Sequence, residues 1–237
     1  MSLPTFFHAE LSTDQNRIEL SADESSHALK ARRLKSAQQV CILNGAGLRA
    51  VGAVTEQHRN RLGVDLISFE TLPKPQLRIS IATAVPKGDR QRTMVDMLTQ
   101  HGVHRIIPLQ CERSNTRFSD KLWAKWLRYA TEACKQSQNP WLPQISQALN
   151  VDHLINWVAE HEVCAWYADQ EGDYGSESID SASELLFIIG PEGGFTEVEI
   201  DCLRQARLNP VCLAQNILRT ETAAITAMIG AGLRFAQ

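Results

Sequence analysis

Two short stretches near the carboxyl end of this 237-residue chain hold the residue types from which a ligand site can be built. The apolar run Leu185-Leu186-Phe187-Ile188-Ile189 drops into Gly190-Pro191-Glu192-Gly193-Gly194-Phe195. A second apolar segment, Val211 to Leu213, leads into Asn216-Ile217-Leu218-Arg219-Thr220-Glu221-Thr222-Ala223-Ala224. Each has the pattern of a strand-to-helix junction. Glycines after a strand let the backbone take left-handed geometry and approach a ligand closely, though they serve a tight structural turn equally well. The helix that follows is marked by a capping box, Thr196 with Glu199 three residues on. The segment is not G-x-G-x-x-G and no Walker lysine follows it, which argues against a dinucleotide or a nucleoside triphosphate. At the second junction Thr220 is placed to N-cap a helix built on Ala223, Ala224, Ala227, Gly230 and Ala231. These small residues at helical spacing allow close packing, a partner subunit included. Arg219 and Glu221 are ordinary surface residues or groups that act on a ligand, and their place beside the glycine loop favours the second.

Other candidates are weaker. His101 and His104 lie across Gly102 near a helix end rather than on one helical face, so no metal site is expected. Trp123, Trp126 and Tyr129, at i, i+3 and i+6, fit the buried stripe of an amphipathic helix better than a base-stacking platform. The six cysteines show no C-x-x-C spacing and several sit in apolar runs, where a thiol behaves as a small hydrophobe; neither disulfides nor zinc are expected. No run approaches the roughly 18 to 20 apolar residues of a membrane span, and Met1 to Glu10 lacks a signal-peptide layout, so a cytoplasmic location and no membrane partner follow.

The formal net charge of -3 hides opposed segments. Residues 73–128 hold 11 basic and 4 acidic residues, net +7, and residues 129–201 hold 1 and 14, net -13. The basic block includes Lys87, Arg90, Arg92, Arg105, Arg113 and Arg117, with a smaller cluster at Lys30, Arg32, Arg33 and Lys35. Such asymmetry suits a polyanion-binding face, or equally a set of solvated faces that balance within the fold.

The elements that must position these groups follow from periodicity. Residues 1–72 hold short alternating runs with Asn44-Gly45 between two of them, a hairpin signal, and predict a small β-barrel or sandwich. Pro73-Lys74-Pro75 marks a domain boundary. Beyond it, strands are predicted at 77–85, 104–110, 162–168, 185–189 and 210–213. Helices are predicted near 88–101, 119–137, 151–160, 196–207 and 220–235. This alternation implies an α/β fold with a mostly parallel sheet covered on both faces, whose ligands bind at the carboxyl ends of strands.

The sequence resembles a known family. Ile189-Gly190-Pro191-Glu192-Gly193-Gly194 together with Ile217-Leu218-Arg219-Thr220-Glu221-Thr222-Ala223 is similar to the RsmE family of 16S ribosomal RNA methyltransferases. Lys87-Gly88-Asp89-Arg90, Gly102-Val103, Ile107-Pro108-Leu109, Glu112-Arg113-Ser114, His27 with Arg32-Arg33-Leu34, and Leu43-Asn44-Gly45 extend the resemblance over nearly the whole chain. It implies a PUA-like β-barrel RNA-binding domain at 1–72 and a SPOUT methyltransferase domain at 73–237 with a C-terminal deep trefoil knot, a topology that packing rules alone never propose. It also implies a homodimer, S-adenosyl-L-methionine as cofactor, and methylation of N3 of a uridine in 16S ribosomal RNA of the small subunit. The cofactor-binding residues it marks are Gly190, Pro191, Glu192, Gly193, Gly194, Leu213, Leu218, Thr220 and Ala223.

In-line transfer to a uracil N3 needs alignment and a stabilised imide anion. Arg219 is the candidate donor to the uracil oxygens, and Glu221 a proton acceptor or a group that orients Arg219. Arg32, Arg33, Lys87, Arg90 and Arg113 are candidate phosphate contacts. The chain departs from the family pattern at Asp96-Met97-Leu98-Thr99-Gln100-His101, where relatives carry Gln-Lys-x-x-Glu-Leu. Lys135-Gln136-Ser137-Gln138-Asn139 stands for Glu-Gln-x-Gly-Arg, and Leu213-Ala214-Gln215-Asn216 for Leu-Gly-x-Arg. Two other readings stay open: a divergent relative that binds cofactor and RNA with a different target or no activity, and a doubly wound small-molecule enzyme.

Overall fold

The computed structural model describes residues 3–26, 28–29, 34–58, 61–173 and 183–235. The chain divides into two compact units, Met1–Lys74 with Thr131–Leu142, and Pro75–Ala130 with Pro143–Gln237.

In the first unit, β1 (Thr5–Phe7), β2 (Arg17–Glu19), β3 (Gln39–Leu43), β4 (Leu48–His58) and β5 (Arg61–Thr71) form one sheet in the order β1-β3-β4-β5-β2, with a short helix, α1 (Ala22–Ser26). The β1–β3 pair is parallel and the others antiparallel. Among the described residues its edges are β1 and β2, and the sheet is a half-barrel where alternation predicts a small β-barrel or sandwich. The inward row, with Phe6, Ile18, Leu20, Ile42, Val54 and Leu62, forms its core. The expected hairpin joins β3 to β4, through four residues rather than two: Asn44 Oδ1 accepts from the N–H groups of Ala46 and Leu48 at 2.7 and 3.0 Å, and Gly47 takes φ +91° against the Trp141 ring. Lys135, a buried cation, is held by Glu24 at 2.6 Å and Glu132 at 2.8 Å.

In the second unit six strands lie in the order β11-β9-β10-β6-β7-β8, all parallel. In chain order the elements are β6 (Arg78–Ala84), α2 (Arg90–Gln100), β7 (Arg105–Leu109), α3 (Asp120–Ser137), β8 (Gln144–Ile145), α4 (Val151–His161), β9 (Cys164–Asp173), β10 (Glu184–Ile189), α5 (Glu197–Gln205), β11 (Asn209–Val211) and α6 (Thr220–Phe235). The central strand β10 is buried at all six positions, as a parallel sheet covered on both faces demands. On one side α4 and α5 share a core with β6, β7, β9 and β10. Elsewhere α6 packs on β6, β10 and α2 through buried Ala223, Ala224, Ala227 and Ala231, so the small residues serve packing within the chain. The chain runs outward from β6 through β7 and β8, crosses by α4 to β9 on the other side of the sheet, and comes back inward to β10 beside β6. Such a reversal point opens a crevice at the strands' carboxyl ends.

Three expectations need correction. Only Trp126 of the α3 stripe is fully buried; Trp123 and Tyr129 are half-buried, because Trp123 turns its Nε1 to donate to Ile145 O at 2.9 Å. Strand β9 runs to Asp173, five residues beyond its expected end, paired with β11. Thr220 is the first residue of α6 rather than its cap: Arg219 O accepts the Ala223 N–H at 2.8 Å, and the Thr220 hydroxyl is used elsewhere.

Candidate functional site

The glycine loop leaves β10 at Ile189 and turns through a Gly194 N–H to Pro191 O bond of 2.9 Å with Gly194 at φ +69°. Gly190 faces the buried Phe195 ring, and a Cβ there would meet it at 3.0 Å. The capping box of α5 forms as expected, Glu199 N–H donating to Thr196 Oγ1 at 3.2 Å and Thr196 N–H to Glu199 Oε2 at 2.8 Å. The second loop, residues 212–219, joins β11 to α6. The Thr220 hydroxyl donates to Gly190 O at 3.3 Å, which ties the two junctions together.

Between them lies a cavity of about 440 Å³, within the size range of sites for small organic ligands. All nine candidate cofactor residues line it: the five of Gly190–Gly194, with Leu213, Leu218, Thr220 and Ala223. The residues around it are mainly glycine and aliphatic, with Phe195, Thr220, the acids Asp169 and Glu192, the amides Gln170 and Asn216, and Arg113. Such a lining accepts a flat apolar group and leaves the Asp169 carboxylate to meet a cationic one.

The basic candidates separate. Arg113 also lines the cavity, and its Nη1 donates to Gly193 O at 3.0 Å and Phe195 O at 3.2 Å, buttressing the loop from outside. Arg90 Nη1 lies 2.5 Å from Glu192 Oε1 and 3.8 Å from Glu221 Oε2. Glu221 is 7% exposed, and its buried Oε2 has the long ion pair to Arg90 and no hydrogen bond among the described residues; Arg219 is exposed and stands one residue from Leu218 and Thr220 without lining the cavity. Lys87 is exposed and makes no ion pair among the described residues. Arg32 and Arg33, with His27, lie outside the described residues. Near the loop, burial pushes the Cys111 thiol up to about 12, and the Glu199 carboxylate adds to this; the thiol is no nucleophile there.

Asp169 and Gln170 were missed. They follow the expected end of β9 by one and two residues, so the rule that ligands sit at the carboxyl ends of parallel strands would have found them. Among the described residues no group of three His, Cys, Asp or Glu could hold a metal, and no helix is long and apolar enough to cross a membrane.

The family departures lie on particular geometry. Gln138 takes φ +57°, at the C′ position of a Schellman ending in which Asn139 N–H donates to Cys134 O at 3.1 Å. Asn139 Oδ1 accepts from Trp141 N–H at 3.0 Å, and Ala214 and Asn216 line the cavity.

Residues 73–231 match the family described as RNA methyltransferase domain. The chain is 30% identical over 229 residues to ribosomal RNA small subunit methyltransferase E of Rickettsia conorii, covering 91% of this chain and 89% of that protein. It is 27% identical over 223 residues to the protein of the same name from Bacillus subtilis, covering 88% and 87%. In fold it resembles the ribosomal RNA small subunit methyltransferase E from Neisseria gonorrhoeae solved bound to S-adenosyl methionine, with a TM-score of 0.90 at 23% identity over 98% of each chain.

Proposed function

The chain belongs to the RNA methyltransferase domain family, and on that premise we propose that it is an S-adenosylmethionine-dependent methyltransferase of small-subunit ribosomal RNA, acting on N3 of a uridine in 16S RNA. The observation that carries this is the convergence of all nine candidate cofactor residues on one cavity at the carboxyl ends of β10 and β11. The bound cofactor supplies an electrophilic methyl on a sulfonium, and the Asp169 carboxylate favours its positive charge. Leu213, Leu218 and Ala223 offer apolar contact to its adenine, and the Gly190–Gly194 backbone its polar partners.

With the cofactor bound, the methyl carbon–sulfur bond would break to leave a neutral thioether as the carbon–nitrogen bond forms, and the N3 proton would pass to solvent water. Arg219, exposed at the start of α6 beside the cavity wall, is the donor that stabilises the uracil oxygens as N3 becomes anionic. Glu221 acts through Arg90: the buried carboxylate holds the guanidinium, and the guanidinium holds Glu192 at the cavity. The remaining parts of the reading are a PUA-like RNA-binding role for the first unit, a trefoil knot formed by the loops around 190–194 and 212–219, a homodimer, and action in the cytoplasm.

The test is transfer of labelled methyl from S-adenosylmethionine to small ribosomal subunits from a strain lacking the corresponding gene, with the product mapped by nuclease digestion and mass spectrometry. Label on a single N3-methyluridine is expected. Absence of label despite measurable cofactor binding would replace this reading with the divergent relative, in which Ala214 and Asn216 have altered the site.

A further inference from the structure

A second basic feature lies on α2 and α3. Trp126 is fully buried on α3, and its Nε1 donates to Gln91 Oε1 on α2 at 3.0 Å. Phe118 meets the same indole edge-on at 4.9 Å. This bond fixes the two helices next to each other one residue before Arg92. One turn beyond Trp126, the half-buried Tyr129 ring gathers three cations. The Arg92 guanidinium comes from α2 at 5.7 Å from the ring centroid, and the Lys125 ammonium and Arg128 guanidinium from α3 at 5.6 and 5.9 Å. Exposed Lys121, one turn before Lys125, extends the row.

Three like charges around one ring repel each other, and cation–π attraction at a surface offsets this only in part. No carboxylate relieves them. Among the described residues Arg92, Lys125 and Arg128 make no ion pair, although Asp96 lies one turn along α2 from Arg92, and Glu132, one turn beyond Arg128, is engaged by Lys135. An arrangement of this kind is stabilised when anions arrive.

We infer that this face binds single-stranded RNA, with phosphates among Arg92, Lys125 and Arg128 and an unpaired base laid against Tyr129. Cations that track a backbone around an exposed aromatic ring are the recurrent means of holding single strands without sequence preference. An acidic peptide would use the charges and leave the ring idle. The inference rests on the chain's acting on ribosomal RNA, and it assigns a surface for RNA flanking the target uridine.

The test uses the full chain and a fluorescein-labelled single-stranded RNA of about 12 nucleotides, titrated by anisotropy over a series of KCl concentrations. Replacing Arg92, Lys125 and Arg128 together by Gln is expected to lower the slope of log affinity against log salt by about 2, at roughly 0.7 per phosphate contact. Tyr129→Leu is expected to weaken binding at least about 5-fold with the slope unchanged. Calorimetric affinity for S-adenosylmethionine should match the wild type in both; if the triple variant fails this check, Lys125→Gln alone, with a slope loss of about 0.7, replaces it. Unchanged slopes and affinity would overturn the inference. So would a Tyr129→Leu protein that binds RNA normally while polyglutamate competes, which makes the face an acidic-peptide site, or a change in sedimentation alone, which makes it an interface between copies. If Tyr129 matters for RNA but the wild type transfers no methyl to small subunits, the enzymatic reading falls and this surface stands; if methyl is transferred and the variants bind RNA normally, the reverse holds.

Discussion

Arg113 separates two accounts of the basic block. From its sequence context it is a phosphate contact, whereas in the structure its Nη1 is shared between Gly193 O and Phe195 O at 3.0 and 3.2 Å. A hydrogen bond from a charged donor contributes about 1.5–3 kcal/mol when both groups are shielded. Here the side chain is exposed, one nitrogen serves both acceptors, and water can replace it at both, so about 1 kcal/mol is the sounder figure for the pair. If that energy holds the glycine loop in its binding shape, Arg113→Ala returns it as lost cofactor affinity, about 5-fold in Kd. Calorimetric titration with S-adenosylmethionine measures this. Arg113→Lys should fall between the two, since an ammonium can still donate to the carbonyls but sits on a shorter, more flexible stem than the planar guanidinium. A cofactor Kd within about twofold of wild type for the alanine variant would refute the buttressing argument. If the same variant lowered the salt slope of RNA binding by about 0.7, the phosphate role would be restored.

Four more outcomes are expected. Gln138→Gly should stabilise the first unit by about 0.5–1 kcal/mol, since φ +57° costs a side-chain-bearing residue, and raise its melting temperature by about 1–4 °C in calorimetry; a lower temperature would contradict this. Lys135→Ala leaves the Glu24 carboxylate, 13% exposed, without its cation and should cost about 2 kcal/mol in thermal melts, whereas replacing both by Met and Leu should recover most of it. Burial pushes the thiols of Cys111 and Cys134 from 9.0 up to about 12, so both should resist iodoacetamide in the native protein near neutral pH. Because their folded values are raised, their contribution to stability is full below pH 9.0 and lost as pH rises towards 12; alkaline melts of the double Ala variant should show a weaker pH dependence. Arg219→Ala should lower kcat for methyl transfer about 100-fold with cofactor Kd unchanged, and near-full activity would remove Arg219 from the chemistry.

Much of the fold was legible because parallel strands buried on both faces leave continuous apolar runs and the helices between them carry their own end signals. The capping box Thr196 and Glu199 placed α5 from four letters, and both of its hydrogen bonds form. Where a local signal had two physical outcomes, periodicity chose wrongly. Thr220 has a cap's chemistry, yet its hydroxyl serves Gly190 O, thirty residues away. Trp123, Trp126 and Tyr129 share one helical row, yet only Trp126 meets a buried partner.

The sequence by itself determined the order of strands and helices beyond residue 76, apart from the short β8, and the mostly parallel sheet, because each follows from local backbone preference; the nine cofactor candidates came from a resemblance of motifs, and all nine are among the residues that line the cavity. Charge pairing was decided only by the tertiary structure. Glu221 faces Arg90 rather than its near neighbour Arg219, Arg113 turns to loop carbonyls, and Arg92 reaches Tyr129 across two helices. Partners far apart in sequence are set by how packed elements align, and no spacing rule along a single chain contains that alignment.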